Sequence, residues 1–420
     1  MVTTSHTQSI KDGRIGTLAS SVFAAVAHIT VPKHDTQSER KARRLRISEE
    51  RRWGEGRWSV QEKTQRERIA ACHWLLLRLA GVVPDDLTAQ SRRWLGDGDV
   101  INVGRAISYA VLSARISLTD DDIDLLAELL GAADLDNSAL SMVDVLDSEP
   151  ISRYAFVARR ADADGAAHRS AADGRPRVPV ITSEADDDVD RAVLSAMEVD
   201  SPIRALWRAW RLPGDGAPWP PPRRVYVVEV DQDVDLVLIT SLLQAVAAAE
   251  GESDPQIEVY PVHARLPSYQ RFARAYGALL WTREPDPQLR LAKVFDEVDE
   301  RGARIAPDHS VLESGHATKL AGYLRGGEPL LATTARMRDV VSPERGAVVP
   351  MNFRTDGSWI WSDGVTYYLE QYGLAPDAGL VAHIERLNFV APEVDGAAIH
   401  RALAVLQEPS ADEPAWLYPY

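Results

Sequence analysis

The segment Val348–Ile384, VVPMNFRTDGSWIWSDGVTYYLEQYGLAPDAGLVAHI, constrains the fold more tightly than any other part of the chain. Asp356-Gly357 lies between alternating residues, and both central positions of a type I′ turn require positive φ, so the pair marks a β-hairpin. A two-residue loop sets Thr355 against Ser358, Arg354 against Trp359, Phe353 against Ile360 and Asn352 against Trp361. One face then carries Met351, Phe353 and Ile360, which belong in a core. The other carries Asn352, Arg354, Trp359 and Trp361, where a guanidinium can lie over an indole. Tryptophan and arginine are enriched at binding hot spots, which makes this face a candidate recognition surface. The competing reading is that helices cover it and the tryptophans are core.

Helix signals follow directly. Ser362 or Asp363 caps a helix carrying Val365, Tyr368, Leu369 and Tyr372, and Gly373 closes it. Pro376 opens a second helix with Leu380, Val381 and Ile384. This pair carries Glu370, Asp377 and Glu385 against Arg386, so it lacks the positive charge that DNA phosphates require.

Upstream, Ser59-Val-Gln-Glu62 forms a capping box for a helix through Ile69, Cys72, Leu76 and Leu79, which stops before Gly81 and Pro84. Val100–Ile116, Asp120–Leu130 (capped by Thr119) and the shorter Ser138–Leu146 read as further helices. Residues 1–150 are therefore expected to form a mainly helical domain. Residues 151–222 read as a loop, a helix over Asp188–Arg211 that Pro202 interrupts or starts afresh, and the Pro-rich linker Leu212–Pro222.

From residue 223 the pattern alternates between strand and helix. Arg224–Val230 and Gln256–Val262 read as strands; Asp233–Ala249, Pro267–Trp281, Pro287–Glu300 and Val311–Leu324 read as helices. The expected class is α/β or α+β: an N-terminal helical domain, then a mixed α/β domain over 223–420 ending in the hairpin and its helices.

Composition narrows the function. A net charge of −15 works against nucleic acid or an anionic membrane binding over the whole surface. No run of ~20 apolar residues is present to span a bilayer. The run Ile15–Val31, preceded by Lys11 and Arg14, mimics a secretory signal but is followed by an Arg-rich stretch rather than a cleavage site. One cysteine, Cys72, excludes a disulfide framework, and a soluble cytoplasmic protein is expected.

Several clusters bear on chemistry. Glu229, Asp231, Asp233 and Asp235 lie at the end of a strand, where ligand sites of open α/β sheets occur. Carboxylates there can hold Mg²⁺, or they can simply cap the next helix. His309, Glu313 and His316, at spacings of four and three, can share a helix face as metal ligands, although a second Glu-x-x-His pair is missing and Asp308 offers a plain cap. Cys72 and His73 are adjacent on a helix and diverge by about 100°, a poor geometry for a nucleophile and its base. Neither GxSxG, GxxxxGK[ST] nor GxGxxG occurs, so no cofactor is expected. Ser38–Arg68 carries eleven Lys/Arg against six glutamates, with Trp53 and Trp58 interleaved. It is a candidate contact for an anionic partner, including nucleic acid, or a solvated helix face.

The terminal block, TDGSWIW (Thr355–Trp361) followed by YYLEQYGLAP (Tyr367–Pro376), resembles a C-terminal segment of uncharacterised proteins of high-GC actinobacteria. The Arg-over-Lys, Ala/Asp-rich composition agrees with such a source. The resemblance spans about a tenth of the chain, implies no activity and assigns no catalytic residue. The residues together indicate a non-catalytic protein that binds another protein through the Arg354/Trp359 face. The alternatives are a Mg-dependent enzyme at the 229–235 loop and nucleic-acid binding through 38–68.

Overall fold

The computed structural model describes residues 60–146, 152–160, 180–198, 201–214, 220–284, 288–299 and 302–407. Two compact units divide the chain. The first runs through Gly174 and resumes over Thr182–Arg283; the second takes Arg175–Ile181 and the chain from Glu284 onward. The fold is mixed α/β with helices leading, as the sequence indicates.

In the first unit, α1 (Val60–Leu79), α2 (Asp85–Gly96), α3 (Val100–Ala114) and α4 (Asp120–Ala132) make a helical layer. Asp99 accepts the Asn102 amide at the start of α3, and Thr119 accepts the Asp122 amide at the start of α4. Each satisfies a donor that a helix start leaves without a partner. Ser59 of the expected capping box lies outside the described residues. Leu75, Leu76, Leu79, Ile107, Val111, Leu126 and Leu129 close the core of the layer.

The sheet of this unit contains β1 (Tyr154–Val157), β2 (Ile203–Pro213), β3 (Arg223–Val230), β4 (Gln256–Pro261) and β5 (Ala278–Thr282). Its order is β5-β2-β3-β4, and β1 also pairs with β2. β3 and β4 are parallel, joined by α6 (Leu236–Ala249), the crossover that parallel pairing demands. Also in this unit are α5 (Asp188–Ser195) and α7 (Ser268–Tyr276).

The helical layer and the sheet belong to one body. Val237 of α6 lies in the same apolar core as α1, α3 and α4. His73 Nε2 on α1 meets Val259 O of the edge strand β4 at 2.9 Å, satisfying a carbonyl that no strand covers. Arg92 on α2 reaches Glu258 on β4, and Gln270 on α7 donates to both Glu258 and Leu77 O.

Four sequence-derived elements are corrected here. The helix expected over Asp188–Arg211 ends at Ser195, and Ile203–Pro213 is a strand. Arg204, Arg208 and Arg211 imitate the polar face of a helix, but Arg208 and Arg211 are buried and held by Asp190 and Asp85. The Leu212–Pro222 segment connects the antiparallel pair β2 and β3 rather than two domains, and the units divide after Arg283 instead. Pro267–Trp281 is helix only to Tyr276 before β5 begins. Pro287–Glu300 holds short strands in place of a helix.

The second unit contains β6 (Arg290–Leu291), β7 (Glu297–Asp299), β8 (Gly302–Arg304), α8 (Ser314–Gly326), β9 (Glu328–Leu331), β10 (Arg336–Arg338), β11 (Ala347–Pro350), β12 (Phe353–Thr355) and β13 (Trp359–Ser362). It ends in α9 (Asp363–Tyr372), α10 (Ala378–Arg386) and α11 (Gly396–Gln407). The sheet order is β9-β12-β13-β6. Among the described residues, no helix is long and apolar enough to cross a membrane.

Candidate functional site

The hairpin forms, but its register differs from the expected one by two residues. Arg354 pairs with Trp361, Thr355 with Ile360 and Phe353 with Ser362. The cause is the Asp356 carboxylate, whose Oδ1 accepts the amides of Ser358 and Trp359 at 2.9 and 2.8 Å. That side-chain turn displaces the type I′ geometry, and only Gly357 keeps positive φ. A shift of two preserves which side chains share a face.

The candidate recognition face is nevertheless covered. Trp361 is 0% and Trp359 6% exposed, packed with Leu320, Leu324, Val365, Leu369 and Leu380. Trp361 Nε1 donates to Leu324 O at 3.1 Å. The cation over Trp359 is Arg290, 5.7 Å from the ring centroid, not Arg354. Arg354 and Asn352 both turn to Asp363, at 2.8 Å each. Trp359 and Trp361 are therefore core, and Asn352 and Arg354 are tied to Asp363 at its edge, so the four do not form a free contact surface.

Arginines and a tyrosine answer the acidic loop. Glu229 is buried, accepts the Tyr260 hydroxyl at 2.9 Å and has Arg274 at 3.7 Å. Asp231 takes both Arg283 nitrogens at 2.7 Å and Arg204 at 3.2 Å. The Arg283 hydrogen bonds, with Arg204 behind them, hold its carboxyl below the usual carboxylate range. Asp233 sits exposed in the left-handed region at φ 59°. Asp235 caps α6 through the Leu238 amide at 3.0 Å.

The His309, Glu313 and His316 set is split. His309 precedes the helix and bonds Asp296 and Ala375 O, whereas His316 faces Glu385 at 3.2 Å. Glu313 is the residue before α8 and makes no side-chain cap. Among the described residues, no three His, Cys, Asp or Glu side chains are placed to hold a metal ion. Cys72 is buried in the helical core, and burial pushes its thiol up to about 12. Most of the basic segment Ser38–Arg68 lies outside the described residues; at its end, Arg68 pairs with Glu128 at 2.7 Å.

A different site emerges in the first unit: a cleft of about 960 Å³ between the end of α1, the α3–α4 turn, the start of β1 and the start of α7. Its lining carries four arginines, Arg78, Arg115, Arg153 and Arg265, against two aspartates, Asp121 and Asp122. Arg78 is committed, with Nε at 3.0 Å from Asp122 Oδ2 and a second short bond to Oδ1. Arg115, Arg153 and Arg265 are exposed and have no carboxylate partner among the described residues.

Apolar and aromatic groups form the rest of the lining. Gly81, at φ 72°, lets the end of α1 close on the tyrosines; a Cβ there would lie 2.5 Å from the Tyr269 ring. Tyr154 and Tyr269 meet edge to face at 6.4 Å. Arg211 lies 4.5 Å over the Tyr154 ring and is itself fixed by Asp85 at 2.7 and 2.6 Å. Arg115 ends α3 at φ 53°, ψ 50°, where glycine is usual. A non-glycine residue in that region costs on the order of 1 kcal/mol. The first turn of α7 has neither a side-chain cap nor an acidic residue.

Sequence reasoning missed this site because its arginines are isolated residues on four separate segments. Only tertiary folding gathers them, and the one local trace, an arginine at a helix C-cap, is visible only with the backbone angle in hand. Comparison with known proteins gives no match, with no family model, curated protein or solved structure corresponding to the chain.

Proposed function

We propose that this chain is a binding or regulatory protein without catalytic chemistry, and that it recognises an anionic ligand in the arginine-lined cleft of its first unit. One observation carries the reading. The carboxylates of the 229–235 loop are either matched to arginine or tyrosine, spent on a cap, or left in solvent, while three arginines of the cleft are exposed and, among the described residues, have no carboxylate partner. Such arginines beside aromatic and apolar lining suit recognition of an anion. In a chain of net charge −15, such a concentration of cations is a local departure from the overall field. A single cysteine and this acidic balance suit a cytoplasmic setting.

Thermal unfolding in the presence of small anions tests the reading. Dicarboxylates, phosphorylated sugars, nucleoside phosphates and a hexaglutamate peptide form the panel. At least one should raise the melting temperature of the wild-type chain and fail to raise that of an Arg115→Ala/Arg153→Ala double variant. If none stabilises the wild type, or if the variant responds equally, the cleft is not the recognition site.

A further inference from the structure

We infer that the ligand of this cleft is a nucleoside diphosphate: a short polyanion carried on a planar ring. The inference rests on the proposed anion-binding role and narrows it. Three guanidiniums with no carboxylate partner among the described residues call for more than one negative charge, and arginine forks match phosphoryl oxygens two at a time. An inorganic anion alone would leave most of a cleft of about 960 Å³ unfilled, so the charge must come attached to a body of ligand size. That body faces Trp74, Tyr154, Leu79 and Leu266 in the same lining, a surface suited to an aromatic ring.

The start of α7 adds to the phosphate end. Pro267 precedes the helix without a capping side chain, no acidic residue occupies the first turn, and Arg265 stands just before it. The positive end of a helix without first-turn carboxylates favours negative charge nearby. The start of α4, in the same cleft, is by contrast already occupied by Asp121 and Asp122. The polyanion is therefore placed on the Arg153–Arg265 side and the ring against Trp74 and Tyr154.

Isothermal titration of the full chain with ADP, GDP, CDP and UDP tests this, with adenosine, pyrophosphate and hexaglutamate as comparisons. At least one nucleoside diphosphate should bind, and the matching nucleoside and pyrophosphate should each bind about tenfold more weakly or not at all, since each lacks half of the recognised groups. Arg153→Ala and Arg265→Ala, at exposed positions, should each weaken the diphosphate about tenfold while the circular dichroism spectrum stays unchanged. Binding of hexaglutamate, lost in the arginine variants, with no response to any nucleoside diphosphate would overturn the inference and leave the anion-binding reading standing. Pyrophosphate binding as tightly as the best diphosphate would also overturn it. No binding by any of these anions would overturn the inference, and the anion-binding reading would fall with it if dicarboxylates and phosphorylated sugars also failed to stabilise the chain.

Discussion

Arg92 Nη2 lies 2.7 Å from Glu258 Oε2, with the two side chains 2% and 0% exposed. The pair ties α2 to the edge strand β4, and Gln270 adds a 2.9 Å bond to the same carboxylate oxygen. Removing one partner of such a pair strands the other charge away from water, which costs about 3–5 kcal/mol. Arg92→Met should therefore lower the urea midpoint sharply. Arg92→Met combined with Glu258→Met should recover most of the loss, because the cost comes from the stranded charge. A double variant no better than the single one would show that the pair itself, and not its desolvation, holds the two elements together.

His73 predicts an acid sensitivity. Its Nε2 meets Val259 O at 2.9 Å, so the neutral ring with a proton on Nε2 fits the site. Burial is the main cause that lowers its pKa from 6.5 to about 4, with the Arg92 charge acting in the same direction. The unfolded chain binds this proton first, so the contribution is intact above pH 6.5 and is lost as pH falls toward 4. The drop amounts to about 3 kcal/mol across that window. Unfolding free energies at several pH values should show it, and His73→Gln, which retains a side-chain N–H, should flatten that part of the curve.

Cys72 should be chemically silent in the folded chain. The thiol is buried and pushed up to about 12, so thiolate is scarce at neutral pH. A thiol-reactive dye added at pH 8 should label the chain only after urea unfolds it. Labelling of the native protein at the rate of a free thiol would place Cys72 in solvent.

Trp361 and Arg354 face each other across the hairpin but should behave differently. Trp361→Ala removes a fully buried indole and its bond to Leu324 O, a loss of about 3–5 kcal/mol. Arg354 is a quarter exposed and pairs with Asp363, so Arg354→Ala should cost no more than about 1 kcal/mol. Urea titration of the two variants separates a core residue from a surface-edge pair.

Local signals made the hairpin block legible. Gly373 ends α9 at φ 70°, and Asp377 caps α10, within a residue or so of where the sequence placed the two ends. Even the two-residue register shift left the faces intact, because side-chain direction has period two. What the sequence lacked was the other side of each face. Burial of Trp359 and Trp361 depends on α8 and α10 folding over them. The strand Ile203–Pro213 was illegible for the same reason: buried arginines read as surface until Asp190 and Asp85 arrive from elsewhere in the chain. The cleft is the extreme case, since each of its arginines comes from a different segment.

Gly81 offers a direct test of how closely the cleft is built. Gly81→Ala meets two obstacles: a left-handed backbone at φ 72° and a Cβ 2.5 Å from the Tyr269 ring. Gly98→Ala meets only the first, since its φ is 77° and nothing lies within 4 Å of the added carbon. The backbone term alone is worth on the order of 1 kcal/mol. Overpacking adds about 1–3 kcal/mol when a neighbour must move. Gly81→Ala should thus be the more destabilising of the two by that second amount, and because Tyr269 and Tyr154 line the cleft, it alone should weaken ligand binding. Equal melting temperatures for the two variants would mean that the tyrosines yield freely and that the cleft wall is softer than its packing suggests.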